Sequence, residues 1–318
     1  TLGGGLGWLR RKHGLSCDNL LAVDLVTADG QVRRASATEH PDLFWALRGG
    51  GGRVGVVTSF TFQLHDVGPE VMYAGLVFPF DERTASLLRR WRAIAAELPD
   101  EATLAVNFWS VPPVPEMPEV LHHRAVVIVE GLYAGPVEDG QRCFAPLFEL
   151  GTPLVDMSGP TPFVAVQSSY DALAPAGDFY YFKSLYLEKL SDDAVDAIVA
   201  CAADRPSPRT LLVIRQLGGA MSRVAPEATA FGDRSAPFHL SIDAMWTDPS
   251  ASERVIGWSR AAWADMQRFG TGGFYVNFPG FWEEGDRLAR AAYGANYERL
   301  EAIEQQYDPD GRFRVTQR

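Results

Sequence analysis

Alternate positions of Phe238-His-Leu-Ser-Ile-Asp-Ala-Met-Trp246 carry polar groups, so a strand of period two puts His239, Ser241, Asp243 and Met245 on one face. Leu240, Ile242, Ala244 and Trp246 then share the other. An imidazole, whose unperturbed pKa is about 6.5, can accept or give a proton at neutral pH. A carboxylate four residues further on can orient a substrate hydroxyl. The same pattern also suits a histidine on a solvated sheet face and a strand-end carboxylate facing water, so both readings stay open. A second chemical feature is Gly3-Gly-Gly-Leu-Gly7, where main-chain N–H groups can approach an anion or a planar ring without Cβ interference. Tyr180, Phe182 and Ser184 alternate with Tyr181, Lys183 and Leu185, and a phenol beside Lys183 could act as a base, although aromatic strand residues are more often core. Arg215 and Arg234 could bind a carboxylated substrate, with solvated charge as the default reading. Arg10 and Arg11 read as surface charges.

The elements that must position these groups follow from periodicity and turn chemistry. Leu21-Ala-Val-Asp-Leu-Val-Thr, the turn Ala28-Asp-Gly30 and Gln31-Val-Arg-Arg-Ala predict a hairpin. Residues 42–48 predict one or two helical turns behind Pro41, broken by four glycines. Residues 54–64 predict a strand whose Gly55 lets backbone approach a ligand or a neighbouring segment. Further strands are expected at 71–78, 103–111, 125–133, 179–187, 210–217 and 238–246, and helices at 81–98, 137–150, 192–203 and 252–268. Residues 112–118 read as a stiff Pro-rich loop, and 151–178 as a long irregular connection. Strands interleaved with helices fit either a doubly wound parallel sheet or an antiparallel sheet covered on one face.

Composition bounds the function classes. A chain of 318 residues, 47% hydrophobic and 22% charged, can bury a sizeable core in roughly two domains. Its net charge of -11 argues against nucleic acid or an anionic membrane as the main partner and leaves a small-molecule substrate. Residues 1–65 hold seven Lys and Arg against five Asp and Glu, which suits a diphosphate-bearing cofactor or ordinary surface scatter. Cys17, Cys143 and Cys201 are widely spaced and lack a CxxC, so they predict small buried thiols rather than a disulfide framework or a metal cluster. His122-His123 has no third ligand at zinc spacing, so no metal is expected. No apolar run of about 18 residues predicts a membrane span. A G-x-S-x-G elbow and a P-loop are both absent from the sequence. Gly5-Leu-Gly7 lacks the third glycine of a Rossmann fingerprint, which weakens a nicotinamide dehydrogenase reading.

Taken together, the glycine loop, Cys17-Asp-Asn19, Asp42-Leu-Phe-Trp-Ala-Leu-Arg-Gly-Gly-Gly-Gly52 and Val54-Gly-Val-Val57 resemble the FAD-linked oxidases of the berberine bridge enzyme type, within the vanillyl-alcohol oxidase superfamily. Tyr275-Val-Asn-Phe278, Tyr293-Gly-Ala-Asn-Tyr-Glu-Arg-Leu300 and Tyr307-Asp-Pro-Asp-Gly-Arg-Phe-Arg314 resemble that family's closing signature. The resemblance implies an α+β fold: part of a PCMH-type FAD-binding domain at 1–67, an antiparallel-sheet substrate domain covered by helices at 68–270, and a segment at 271–318 returning to the FAD domain.

It also implies FAD as cofactor, with Gly5, Gly7, Asn19, Gly55, Val57 and Asn277 on the cofactor side. The activity implied is oxidation of a C–H bond next to oxygen or nitrogen in a small organic molecule, with dioxygen as acceptor. The alternative is a truncated or degenerate member serving as a binding module. By position His239 falls where several members carry a catalytic Glu or Gln, and Asp243 and Tyr275 complete the catalytic candidates. The family's frequent tyrosine base is replaced by Phe278. The family's attachment residues for covalent flavin lie upstream of the glycine loop. The chain reads as cut there, which predicts weak FAD binding, exposed apolar surface at Val23, Leu25 and Val56, and poor solubility. Substrate, oligomeric state and compartment are left open.

Overall fold

The computed structural model describes residues 1–113, 118–280 and 285–313. Its chain divides into two compact units: Thr1–Asp66 with Gly218–Ser235 and Gly273–Arg318, and Val67–Leu217 with Ala236–Gly272. Most of the Pro-rich loop, the end of the closing signature at Arg314 and residues 281–284 lie outside the described residues.

In the first unit, β1 (Leu20–Val26) and β2 (Val32–Ser36) form the expected hairpin, and β3 (Val56–Phe62) pairs with β1 to give the antiparallel order β2-β1-β3. Gly30 takes φ 78°, as its place in the turn requires. The helix Pro41–Leu47 starts on Pro41 and buries Leu43, Phe44, Trp45 and Leu47. These side chains join Val23 and Leu25 in a core with Tyr293, Tyr297, Leu300 and Ile303 from the closing helices Asp286–Tyr293 and Tyr297–Tyr307. The expectation that Val23 and Leu25 stand exposed is therefore corrected: they are the inward face of β1. Val56, the third residue of that expectation, is 57% exposed on the edge strand β3, as is Phe60 at 41%.

Gly218–Ser235, which the sequence boundaries leave inside 68–270, is fastened to the first unit by a buried ion pair. Arg234 places Nη2 2.7 Å from Oδ1 of Asp18 and also donates to the Met221 carbonyl and Thr229. It is neither a solvated charge nor a free substrate anchor. Arg10 and Arg11 are likewise buried rather than on the surface, with Arg10 donating to the Gly7 carbonyl. The reason for Arg11 is the turn Gly218-Gly219, where a Cβ on Gly219 would stand 2.4 Å from the Arg11 carbonyl oxygen.

The second unit is an eight-stranded antiparallel sheet. Along it run β7 (Val155–Asp156), β4 (Glu70–Pro79), β6 (Ala125–Tyr133), β5 (Ala102–Ser110), β10 (Leu211–Gln216), β11 (Phe238–Trp246) and β9 (Phe179–Leu187), while β8 (Gly159–Pro162) also pairs with β4. The strands are antiparallel throughout, which decides against the doubly wound alternative. One face carries Leu76, Leu104, Val106, Val129, Ile214 and Leu240 and buries them beneath four helices. Those helices are Thr84–Glu97, Val137–Phe148, Asp192–Ala203 and Ser252–Met266, contributing Trp91, Phe144, Ile198 and Met266. With that face apolar, period two sends the intervening residues to the other. Residues 151–178, expected to be irregular, hold β7, β8 and the short helix Phe163–Ser168. Among the described residues no helix is long and apolar enough to cross a membrane.

Candidate active site

Strand register collects the polar groups of the second unit into rows. Glu130 on β6 pairs with Ala105 on β5, Ala105 with Arg215 on β10, Arg215 with His239 on β11, and His239 with Tyr186 on β9. The next row on the same face holds Asn107, Val213, Ser241 and Ser184. Ala105 and Val213 apart, these are side chains that a solvated sheet would expose, yet His239 and Ser241 are fully buried, and Asn107 and Glu130 are 2% and 5% exposed. The alternative of a histidine on a solvated face is thereby removed.

His239, Ser241 and Asp243 share a face, as their spacing predicts, and Arg215 joins them. Its Nη1 donates to Oγ of Ser241 at 2.7 Å, lies 3.5 Å from Nδ1 of His239, and its Nη2 lies 3.8 Å from Oδ2 of Asp243. Guanidinium nitrogens only donate, so the Nδ1 edge of His239 faces Arg215 at the outer limit of a hydrogen bond. Asp243 receives the Ser241 hydroxyl on Oδ2 at 3.1 Å, while Oδ1 is buried with no hydrogen-bond partner among the described residues. Burial pushes the Asp243 carboxyl pKa above the ordinary value, with Arg215 and Ser241 opposing the shift. Lys183 does not join this cluster. The structure turns it to the helix-covered face, 4.3 Å from the centroid of the Trp263 ring, and Tyr181 lies there too, against Arg260, so a base formed by Lys183 and a neighbouring phenol on the polar face is corrected.

A second cluster went unread in the sequence. Tyr73 donates to Oε1 of Glu130 at 2.7 Å, and Tyr170 and the Asn107 amide both donate to Oε2. Burial and the Glu130 charge push the Tyr170 phenol well above its ordinary pKa, with Arg215 opposing. The readable signal is Glu130 itself, a lone carboxylate in Ala125-Val-Val-Ile-Val-Glu-Gly-Leu-Tyr133.

The remaining candidates lie in the first unit. The Tyr275 hydroxyl accepts the Leu6 N–H at 3.1 Å, and the Asn277 amide donates to the Gly3 carbonyl at 3.2 Å, so both fasten the glycine loop. Phe278 packs edge-on against Tyr275 at 5.5 Å between ring centroids. Gly5 has φ 83° and is held close to Ser16, where a Cβ would meet that side chain at 2.5 Å, whereas a Cβ on Gly7 would meet nothing within 4 Å. Gly55 lets the chain approach a neighbouring segment: a Cβ there would stand 2.5 Å from the Val26 carbonyl oxygen. Val57 pairs with Leu25 on β1. The Asn19 amide donates to the carbonyls of His13 and Leu15, and its Oδ1 lies 2.5 Å from Nε2 of His65. Cys17 is buried with its thiol pushed up to about 12 by desolvation, and all three cysteines are free. Among the described residues no cluster of three His, Cys, Asp or Glu could hold a metal ion.

The family described as "Berberine and berberine like" matches residues 274–318. The whole chain aligns at 31% identity with 68% of YgaK of Bacillus subtilis, named an uncharacterized FAD-linked oxidoreductase. The chain belongs to the berberine-bridge-enzyme-like family of FAD-linked oxidoreductases. It is also 27% identical to a chitooligosaccharide oxidase of Gibberella zeae over 100% of this chain and 66% of that one. Among solved structures, BBE-like 1 of Physcomitrella patens superposes with a TM-score of 0.82 over 98% of this chain and 67% of that one, at 23% identity, a likeness of fold. As a member of this berberine-bridge-enzyme-like family the chain is an FAD-linked enzyme of α+β fold.

The first unit's glycine segments fit a flavin nucleotide. An added Cβ at Gly7 would meet nothing within 4 Å, so this side of the loop has room for a planar ring or a phosphate, while the Gly51 N–H is taken by the Leu2 carbonyl at 2.8 Å.

Proposed function

We propose that this chain oxidises a C–H bond next to oxygen or nitrogen in a small organic molecule, with dioxygen as electron acceptor. The observation that carries this reading is Oδ1 of Asp243, a buried carboxylate oxygen without a hydrogen-bond partner among the described residues. A buried acceptor with a raised proton affinity is matched to taking the O–H or N–H proton of a substrate. FAD, when bound, supplies the hydride acceptor. Asp243 takes the substrate proton on Oδ1, and Ser241 and Arg215 hold the other oxygen and the carboxylate's orientation. His239, beside Arg215 on the same strand face, anchors the substrate. Tyr275 and Asn277 act one step back by fixing the glycine loop, with Gly7 offering room to the cofactor. Gly5, Asn19, Gly55 and Val57 shape the surrounding backbone. The oxidase name of the Gibberella zeae relative supports dioxygen as acceptor.

The test is anaerobic mixing of the FAD-loaded protein with a panel of primary alcohols and amines, following loss of the flavin's visible absorbance, and then hydrogen peroxide release on admitting air. Flavin bleaching without peroxide on reoxidation would remove dioxygen from the reading. No bleaching by any alcohol or amine would remove the reading itself.

A further inference from the structure

A cavity of about 300 Å³ separates the sheet of the second unit from the segment 163–178 that runs over it. Trp109, Glu130 and Leu211 line the gap from the sheet, and Val166, Tyr170 and Leu173 from the covering segment. That segment is fastened at its ends. At one end β8 pairs with β4 and the Phe163 N–H donates to the Pro69 carbonyl at 2.9 Å. At the other the Tyr180 hydroxyl donates to the Pro175 carbonyl, and Arg209 pairs with Asp178. Between the ends little packing holds it: Val166 is the one buried residue from 163 to 178, and Val164 is 75% exposed. A segment with few buried apolar contacts opens locally at far lower cost than the whole fold. Gly177, at φ 99° with open space where a Cβ would stand, gives the backbone a point about which to turn.

One side chain crosses the gap. The Tyr170 ring lies at the surface, 38% exposed, while its hydroxyl donates to Oε2 of Glu130 on β6, a residue 5% exposed, and accepts from the Asn107 amide at 3.1 Å. The charge on the acceptor makes this a strong single tie. Burial and that same charge hold the phenol well above its ordinary pKa, so it stays a donor. Tyr73 and Asn107 also donate to Glu130, and both sit on strands, so the carboxylate keeps two partners when Tyr170 leaves. Against the tie stands Oδ1 of Asn107, in the wall of the same cavity, buried without a hydrogen-bond partner among the described residues. Water admitted by opening satisfies that atom and offsets part of what the tie contributes.

We propose that residues 163–178 form a hinged lid over the polar face of the sheet, latched shut by the Tyr170 hydroxyl on Glu130. Lifting it uncovers Trp109 and Leu211. Leu211 is the register partner of Asp243, a residue 7% exposed, so the lid controls the way to that carboxylate. This last step rests on the base role proposed above; the latch does not.

The latch is read on the full chain without turnover. Hydrogen–deuterium exchange of peptides covering 163–178 should run about ten- to hundred-fold faster in Tyr170→Phe than in the parent, the effect of losing a hydrogen bond to a charged group, while peptides from β4 and β6 keep their parent rates. Access is read by iodoacetamide labelling of Leu211→Cys, a position 6% exposed on the covered wall, followed on its own peptide by mass spectrometry. Adding Tyr170→Phe should speed that labelling by a similar factor. Equal exchange in parent and Tyr170→Phe would overturn the latch. Faster exchange spreading through β4 and β6 would overturn it too, since Tyr170 would then support the sheet itself. Labelling at position 211 indifferent to Tyr170→Phe would overturn the lid, because the segment would move without uncovering the wall. Neither readout involves flavin or substrate, so a failed lid leaves the Asp243 reading standing, and a working lid on a protein whose flavin no alcohol or amine bleaches leaves the latch standing alone.

Discussion

The Ser241 hydroxyl donates to one oxygen of Asp243 and leaves the other buried without a hydrogen-bond partner among the described residues. Asp243→Asn should therefore cut flavin reduction by about 10²–10⁴-fold, the range for losing a positioned base. Stability should move the opposite way. With its folded pKa raised by burial, Asp243 favours the fold most when protonated, below the ordinary carboxylate value of about 3.9, and loses that contribution as pH rises through the raised folded value. The variant, neutral at every pH, should melt higher than the parent at pH 7, with the gap closing in acid. Tm against pH for both proteins decides this, and a variant that melts lower at neutral pH would show that the carboxylate charge is satisfied by something else.

Arg215 holds the Asp243 carboxyl pKa down, against burial. Replacing it with Met removes the opposing cation, so the acid limb of kcat/KM should move to higher pH while the loss of orientation lowers the plateau. A profile that falls uniformly, with the limb in place, would mean that the titrating group is not Asp243.

Tyr275 is argued to position the glycine loop, not to react. Tyr275→Phe removes the acceptor of the Leu6 N–H and should weaken FAD binding about five-fold, the equivalent of one ordinary hydrogen bond of about 1 kcal/mol. Activity should return at saturating FAD. If kcat stays depressed when every site is loaded, the phenol belongs among the groups that touch substrate.

How much of this was legible depends on the physics of each signal. Period two in Phe238–Trp246 is local, so the shared face of His239, Ser241 and Asp243 could be read directly, and the hairpin turn at Gly30 likewise. Burial could not, because a polar strand face looks the same in sequence whether water or protein lies over it. Register is also invisible: Arg215 meets His239, and Glu130 meets Tyr73, only through pairings set by the whole sheet, while Tyr170 reaches Glu130 from the connection after the helix Phe163–Ser168. Gly and Pro in residues 151–178 suggested loop, yet Gly159–Pro162 pairs with the exposed side of β4, where a short strand tolerates proline. Lys183 was read from its neighbours in the chain, and the sheet's inner face claimed it because its stem can lie along Trp263.

Arg234 and Asp18 give the last test, because side chains 1% and 8% exposed leave neither charge any recourse to water. Asp18→Asn or Arg234→Met alone strands the partner and should cost about 3–5 kcal/mol, whereas both changes together remove the two charges and should cost much less. Urea unfolding of the four proteins of this cycle measures the difference. The pair joins Ser16–Asn19, directly behind the glycine loop, to the segment Gly218–Ser235, so the single variants should lose FAD affinity along with stability. A double variant as unstable as either single one would instead make the Thr229 and Met221 contacts of Arg234, rather than the ion pair, what holds that segment down.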